Sequence, residues 1–328
     1  MMNLRNMMIG LSSDTVAQRL IQLWEHEEGT LQFWRASSNF VYIFEHNHDT
    51  YFLRFSYEQE NNVENIIAEL DFMEFLRSHK FPCVSPIASK ADKMIETITT
   101  AEGSYYAVVF STAKGIPLDD NLTGIQSENW GRSLATLHTL SKLYKPAHVR
   151  RKSWQDILRD IENVLCKHPQ EHDAMEELKR LTQWLQSLPT SEERFGLIHY
   201  DFQLDNVFFD ESKQGFEVID FDDAMYHWYA MDIITTLADL YDNQDSHSAQ
   251  CIQDFLKGYR SIMAVDDEEL SLLPKFKRFD HLYGFSRLLW SLENSDTVIE
   301  DAPSWYEGLK AKFNRVIVTR RQGFREPW

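Results

Sequence analysis

Asp201, Asn206 and Asp220 are the residues whose types and spacing point most directly to chemistry. The stretch Gly196-Leu197-Ile198-His199-Tyr200-Asp201-Phe202-Gln203-Leu204-Asp205-Asn206-Val207 runs from apolar chain into a polar loop, with Asp201 and Asn206 five positions apart. A second apolar run, residues 216–219, delivers Asp220. Phosphoryl transfer needs one group to orient or deprotonate an attacking hydroxyl, and hard oxygen donors for the magnesium that bridges the phosphates. Two adjacent strand ends joined by a short hairpin would bring such groups together. A lone Asp in a surface loop means little, but several polar residues at this spacing between apolar runs carry a specific signal.

The elements that must position these groups can be read from periodicity. Residues 30–35, 40–45 and 50–55 are β-type runs, and His46-Asn47-His48-Asp49 reads as a hairpin turn between the last two. Ser12-Ser13-Asp14 offers caps for a helix carrying Val16, Leu20, Leu23 and Trp24. Val63, Ile66, Ile67, Leu70, Met73 and Leu76 mark an amphipathic helix that stops near Phe81-Pro82. Strand-like runs at 93–99 and 105–110 follow, split by a loop containing Gly103. This order predicts a small antiparallel sheet with a helix laid on it. From Glu128 onward the pattern is helical, including 130–144, 154–166 and 173–188, interrupted by short apolar runs around Val207 and Val218. The fold class expected is therefore α+β and two-lobed, with a sheet-bearing lobe at 1–112 and a mainly helical lobe at 113–328. Gly115-Ile116-Pro117 serves as the connector, because glycine and proline break regular structure. The late segments 255–260 and 276–292 are expected to shape a substrate pocket. Tyr283, Phe285, Trp290 and Trp305 are read as core aromatics or pocket lining.

With 328 residues the chain is long enough for two packed units, and 43% hydrophobic content excludes wholesale disorder. The formal charge of −18 disfavours nucleic acid and anionic membranes as partners and would attract cationic substrates. Cys83, Cys166 and Cys251 have neither metal-type spacing nor a disulfide framework, and no apolar stretch approaches a membrane span. A cytoplasmic location is the expectation.

The segment 199–206 together with Ile219-Asp220-Phe221-Asp222 resembles the catalytic loop and metal-binding strand of the aminoglycoside phosphotransferase and choline kinase-like family, relatives of protein kinases. The resemblance spans about residues 30–260 and is most specific between 196 and 232. It implies a protein-kinase-like fold and transfer of the γ-phosphate of ATP or GTP, with Mg2+, to a hydroxyl of a small molecule. It implies further that Asp201 is the catalytic base, that His199 braces its loop, and that Asn206 and Asp220 are metal ligands. Trp130-Gly131-Arg132-Ser133-Leu134-Ala135-Thr136-Leu137-His138 resembles the helix preceding the family's catalytic region, and His138 reads as a packed histidine. Asp232 matches a position that holds the catalytic loop by its backbone. Asp222 alternates with Asp220 along an extended chain, which would put both on one face; Asp223 reads as exposed.

On the nucleotide side, Ala36-Ser37-Ser38-Asn39 stands where relatives carry glycines and then Asn, so Ser37, Ser38 and Asn39 are expected to meet phosphates with hydroxyl, amide and backbone donors. Arg54 stands where relatives place a phosphate-binding lysine, and Glu69 is its expected partner. Relatives phosphorylate aminoglycosides, choline, homoserine and other alcohols, and some act on protein serine or threonine. A non-catalytic nucleotide-binding scaffold is the alternative from a different class, although it would have no use for a base at Asp201. The acceptor's identity, the choice between ATP and GTP, and the oligomeric state are not encoded in any motif.

Overall fold

A computed structural model describes residues 1–213, 215–243, 245–295 and 303–328. Two helices, α1 (Leu4–Leu11) and α2 (Thr15–Ile21), precede β1 (Gln32–Ala36), β2 (Phe40–His46) and β3 (Asp49–Tyr57). Helix α3 (Val63–Ser78) follows, then β4 (Pro86–Ile87), β5 (Glu96–Thr99) and β6 (Ser104–Ser111). The strands form one antiparallel sheet in the order β1-β2-β3-β6-β4, with β5 also on β6. The β2–β3 hairpin closes through Asn47 and His48, whose φ values of 52° and 67° give the twist that a two-residue hairpin turn needs.

Alternation along β2 and β3 sorts the two faces of the sheet. Phe40, Tyr42, Leu53 and Phe55 are buried on one face. There the Phe40 ring lies against Gly10 of α1, and the Tyr42 hydroxyl donates to Asp14 at 2.7 Å. The other face carries Arg54, which reaches Glu69 of α3. Asn62 caps α3 by accepting from the Asn65 N–H. The sheet thus lies between α1–α2 and α3, and presents its one central charge toward the rest of the molecule.

The remainder is mostly helical: β7 (Ile116–Pro117), α4 (Gly124–Ser141), α5 (Trp154–Leu165), α6 (His172–Ser187), β8 (Phe195–Ile198), β9 (Val207–Asp210), β10 (Gly215–Val218), β11 (Met225–Trp228), α7 (Tyr229–Thr236), α8 (Ala238–Asn243), α9 (Ser246–Arg260), α10 (Asp267–Ser271), α11 (Leu273–Leu292) and α12 (Ser304–Gly323). Capping boxes start α4 at Thr123 and α5 at Ser153. The β9–β10 hairpin is the one expected from the two apolar runs, and β7 joins it as a third strand. Residues 195–198, within the apolar run expected to enter the polar loop, pair as β8 with residues 225–228, β11, for which no strand was expected. Helix α1 and the short β4 also lie outside the sequence expectation, the strand expected at 93–99 is confined to 96–99, and the helix expected at 130–144 starts earlier, at Gly124. Among the described residues no helix is long and apolar enough to cross a membrane.

Helices α4 and α9 cross at two glycines. A Cβ on Gly131 would stand 2.0 Å from the Phe255 carbonyl oxygen, and one on Gly258 would stand 1.8 Å from that of Glu128. Backbone touches backbone there, so the helices cannot yield to an added methyl without parting. Gly131→Ala is expected to lower the urea midpoint by an amount equivalent to roughly 2–3 kcal/mol. Gly308, in α12, has nothing within 4 Å of its would-be Cβ. Gly308→Ala is expected to raise stability by roughly 0.5–1 kcal/mol through helix propensity.

Candidate functional site

The site begins with a carboxylate that has no access to water. Asp232, in the first turn of α7, is fully buried and accepts from the backbone N–H groups of His199 at 2.8 Å and Tyr200 at 2.7 Å. It also accepts from His138 Nε2 of α4 at 2.9 Å. The His138 Nδ1 in turn takes the Tyr259 hydroxyl of α9 at 2.7 Å. Burial pushes His138 below its usual pKa against the pull of Asp232. Neutral His138 therefore donates from Nε2 and accepts at Nδ1. It is packed structure, as the sequence indicated.

Held in this way, the chain leaving β8 turns sharply. Tyr200 has φ +72°, a left-handed conformation costly for a bulky residue, and its hydroxyl donates to Asp280 of α11 at 2.8 Å. His199 places Nε2 3.0 Å from the Ile219 carbonyl, while its Nδ1 lies 3.3 Å from the Asp201 N–H. Burial holds its pKa low, so the ring is neutral, with both nitrogens spent on backbone groups. That geometry braces the loop and leaves His199 no proton to exchange with a substrate. Asp201 follows, nearly buried. Asn206 Nδ2 donates to its Oδ2 at 2.8 Å and to its carbonyl at 3.0 Å, which turns Asn206 Oδ1 away from Asp201. Burial, then repulsion from Asp223, Asp222 and Asp205, pushes the Asp201 carboxyl up to about 7, with Arg287 opposing.

The end of β10 meets this loop where the Ile219 N–H donates to the Asn206 carbonyl at 3.0 Å. Asp220 comes next, also left-handed at φ +64°. Its turn replaces the extended alternation expected for 220–222, yet Asp220 and Asp222 still come together and compete for charge. Burial and the Asp222 carboxylate drive the Asp220 pKa well up. Asp222 stays low because Arg54 and Arg287 outweigh its own burial. Arg54 donates to Glu69 at 2.6 Å, the partner expected from sequence, and also lies 3.8 Å from Asp220, which joins the sheet to the acidic segment. Asn39 Nδ2 donates to Asp222 at 2.7 Å, and Ser37, Ser38 and Asn39 line the same cleft as Asp201, Asn206 and Asp220.

Four features escaped the sequence. Arg35 reaches Asp220 at 3.2 Å because a bulge between Phe33 and Arg35 shifts the register of β1. Asp223, expected to be exposed, pairs with Arg287 at 2.7 Å. Arg151 donates to the carbonyls of Ala224 at 2.7 Å, Asn65 at 2.9 Å, and Asp222, fixing the turn after the acidic run. Asp280 is aimed by Tyr200. An Arg next to a Trp or in the middle of a helix gave no local sign of these partners; the doubled acid at 222–223 was the one visible hint.

Two cavities meet here. The polar cleft, about 570 Å3, carries the catalytic-loop and acidic residues together with Tyr283 and Arg287 of α11 and Phe313 and Val316 of α12. The apolar one, about 510 Å3, lies between sheet and helical region, lined by Val41, Phe52, Met73, Val84, Phe110, Phe208 and Ile219. Arg35, Arg54, Asp205 and Asp220 border both. Among the described residues no three His, Cys, Asp or Glu side chains form a ready-made metal cage. Asp220, Asp222 and Asn206 Oδ1 are nevertheless hard oxygen donors, and the mutual repulsion of the two carboxylates would be relieved by a divalent cation. The residues fit a metal that shares its coordination with phosphate oxygens.

Residues 30–272 match the phosphotransferase enzyme family, APH. The chain belongs to this family. Amicoumacin kinase of Bacillus subtilis (strain 168) is 23% identical over 300 residues, covering 85% of each chain. The solved structure of amicoumacin kinase hAmiN with AMP-PNP, Ca2+ and Ami superposes with a TM-score of 0.77 at 21% identity, over 96% of both chains. A microcompartment-associated aminopropanol kinase gives 0.66 at 23% identity, covering 94% of this chain and 99% of that one. The two-lobed protein-kinase-like fold is thereby shared.

The environment of Asp201 makes a stability prediction. Its folded pKa of about 7 lies above the usual carboxylate value of 3.8, so the folded state retains a proton that the unfolded chain releases. Stability from this group is full at low pH, falls as pH rises, and is lost above about 7. Asp201→Asn, permanently neutral, should therefore gain on wild type between pH 5 and pH 8, by up to about 1.4 kcal/mol per pH unit. Denaturation in chelator-containing buffer at the two pH values measures the gap; a gap that stays constant would show that Asp201 ionises normally.

Proposed function

We propose that this chain transfers the γ-phosphate of a nucleoside triphosphate, ATP, to a hydroxyl of a small molecule with the help of Mg2+. The observation that carries this reading is the meeting of Asp201 and the Asn206–Asp220–Asp222 donor set at the border of an apolar cavity. A nucleobase is flat and largely apolar, and the slot between Val41, Met73, Phe110 and Ile219 offers it such surroundings. Its phosphates would then point toward Arg35 and Arg54, which border both cavities. Arg54 is held by Glu69 and can meet phosphate oxygens in a fork geometry.

Asp201, steadied by Asn206, is placed to accept the hydrogen of an acceptor hydroxyl. A base whose pKa lies near 7 is ionised in a useful fraction at neutral pH and still takes a proton readily. Mg2+ bound by Asp220, Asp222 and Asn206 would supply charge neutralisation on the phosphates. Asp280 lines the cleft together with Arg287, Lys312 and Arg320, so this wall offers charges of both signs to a polar acceptor. Only four residues separate Asp220 from β11, so the short link offers little platform for a polypeptide, and this favours a small acceptor over a protein serine or threonine. The names of the relatives, an antibiotic kinase and an amino-alcohol kinase, agree with that preference.

A coupled nucleotide-turnover screen over amino alcohols, hydroxyl-bearing antibiotics and sugars, with a protein substrate as control, tests the reading. Asp201→Asn should cut turnover of the best acceptor by at least roughly a hundredfold while nucleotide binding survives. Turnover within a fewfold of wild type would remove Asp201 from the mechanism. Asp220→Ala should abolish magnesium-dependent nucleotide binding in titration calorimetry, since a methyl cannot replace an anionic oxygen. Arg54→Ala should raise the KM for nucleotide and lower turnover, whereas Arg54→Lys keeps substantial activity because an ammonium still meets phosphate as a point charge. Wild-type kinetics for Arg54→Ala would take Arg54 out of the phosphate site.

A further inference from the structure

The loop between β1 and β2 is tied to the helical lobe by side chains, and Arg287 of α11 makes the central tie. Its Nη1 pairs with Asp223 at 2.7 Å, and its Nη2 donates to Ser38 Oγ at 3.0 Å. Beside it, Asn39 donates to Asp222 at 2.7 Å. Ser38 Oγ also accepts from the Met1 backbone nitrogen at 2.9 Å. All four cleft groups, Ser38, Asn39, Asp223 and Arg287, line the cavity that holds Asp201 and Asn206.

A hydroxyl has two acceptor positions and one hydrogen. The Arg287 guanidinium can only donate, so it occupies an acceptor position of Ser38 Oγ and turns the hydroxyl hydrogen away from itself. The loop Ala36-Ser37-Ser38-Asn39 contains no glycine to let the backbone close tightly on a ligand, and an oriented side-chain donor can take that part. Asp223 keeps the guanidinium in place, and Arg287 holds Ser38 in the lining of the same cleft.

We propose that Arg287 is a positioning residue for phosphoryl transfer, clasping the two lobes so that the Ser38 hydroxyl donates to the terminal phosphate of a bound nucleoside triphosphate. This rests on the phosphotransferase reading above. It implies that the clasp distinguishes a triphosphate from a diphosphate, because a diphosphate has no group at that point.

Titration calorimetry of the full chain with magnesium AMP-PNP and with magnesium ADP reads the effect directly. Arg287→Ala and Ser38→Ala are each expected to weaken AMP-PNP about tenfold while ADP stays within about twofold, the size expected for one charge-assisted hydrogen bond. The double variant should lose no more than either single variant, since both changes remove the same contact. Arg287→Lys should recover part of the AMP-PNP preference. If Arg287→Ala does not fold, Ser38→Ala and Arg287→Lys carry the comparison, and Ser38→Ala must still show the selective loss. Equal weakening of both nucleotides, an unchanged ratio, or additive losses in the double variant would overturn the proposal and make the clasp purely structural. Wild-type protein that binds neither nucleotide would overturn the phosphotransferase reading and this inference with it.

Discussion

A single buried carboxylate organises the chemistry of this molecule. Asp232 sits where water cannot reach it, and an ionised group there is tolerable only if donors surround it. Two of those donors are successive backbone N–H groups of the catalytic loop, and the third is a histidine from another helix. Because both loop donors converge on one side chain, the backbone at His199 and Tyr200 has little freedom left. The left-handed Tyr200 is held against its own preference, and Asp201 emerges in a fixed direction. The tight glycine crossing of α4 and α9 serves the same end, since it sets Tyr259 and His138 behind Asp232.

Charge in the cleft is arranged by competition. Asp201, Asp220 and Asp222 stand too close together for all to ionise at ease, and burial and guanidinium groups sort them. Arg54 and Arg287 keep the pKa of Asp222 low, Arg287 also pairs with Asp223 at 2.7 Å, and the pKa of Asp220 is driven up. Asp201 is left with burial and acidic neighbours, which lift it toward neutrality without the loss of its contact to Asn206. Two separate loops, one after β8 and one after β10, thus bring together carboxyl groups whose surroundings hold them at different proton affinities.

The two lobes meet through polar contacts as well as apolar packing. Arg54 to Asp220, Arg35 to Asp220, Asn39 to Asp222 and Arg287 to Ser38 all cross from sheet side to helical side, the first two at the border of the two cavities and the others in the polar cleft. Such contacts are directional, so they fix how the β1–β2 loop overlies the acidic segment. The apolar cavity beside them supplies area without direction.

The sequence alone determined the parts that depend on local order. Spacing within one loop placed Asp201 and Asn206, alternation along one strand placed Arg54 toward the cleft, and the family resemblance singled out Glu69 on the next helix as its partner. The α+β, two-lobed class followed from where period-two runs gave way to helical ones. Strand β11 was missed, and β8 showed only as an apolar run, because four residues hold too few alternations to tell a strand from a helix turn, and their pairing is a tertiary relation. Arg35 needed a bulge, which is a relation between two strands, before it could face Asp220. Arg287 lies 64 residues from Asp223 and 249 from Ser38 along the chain, and Asp280 lies 80 from Tyr200. No periodicity links residues so far apart. Their partnership is decided by the packing of α11 across both lobes, and only the folded molecule contains it.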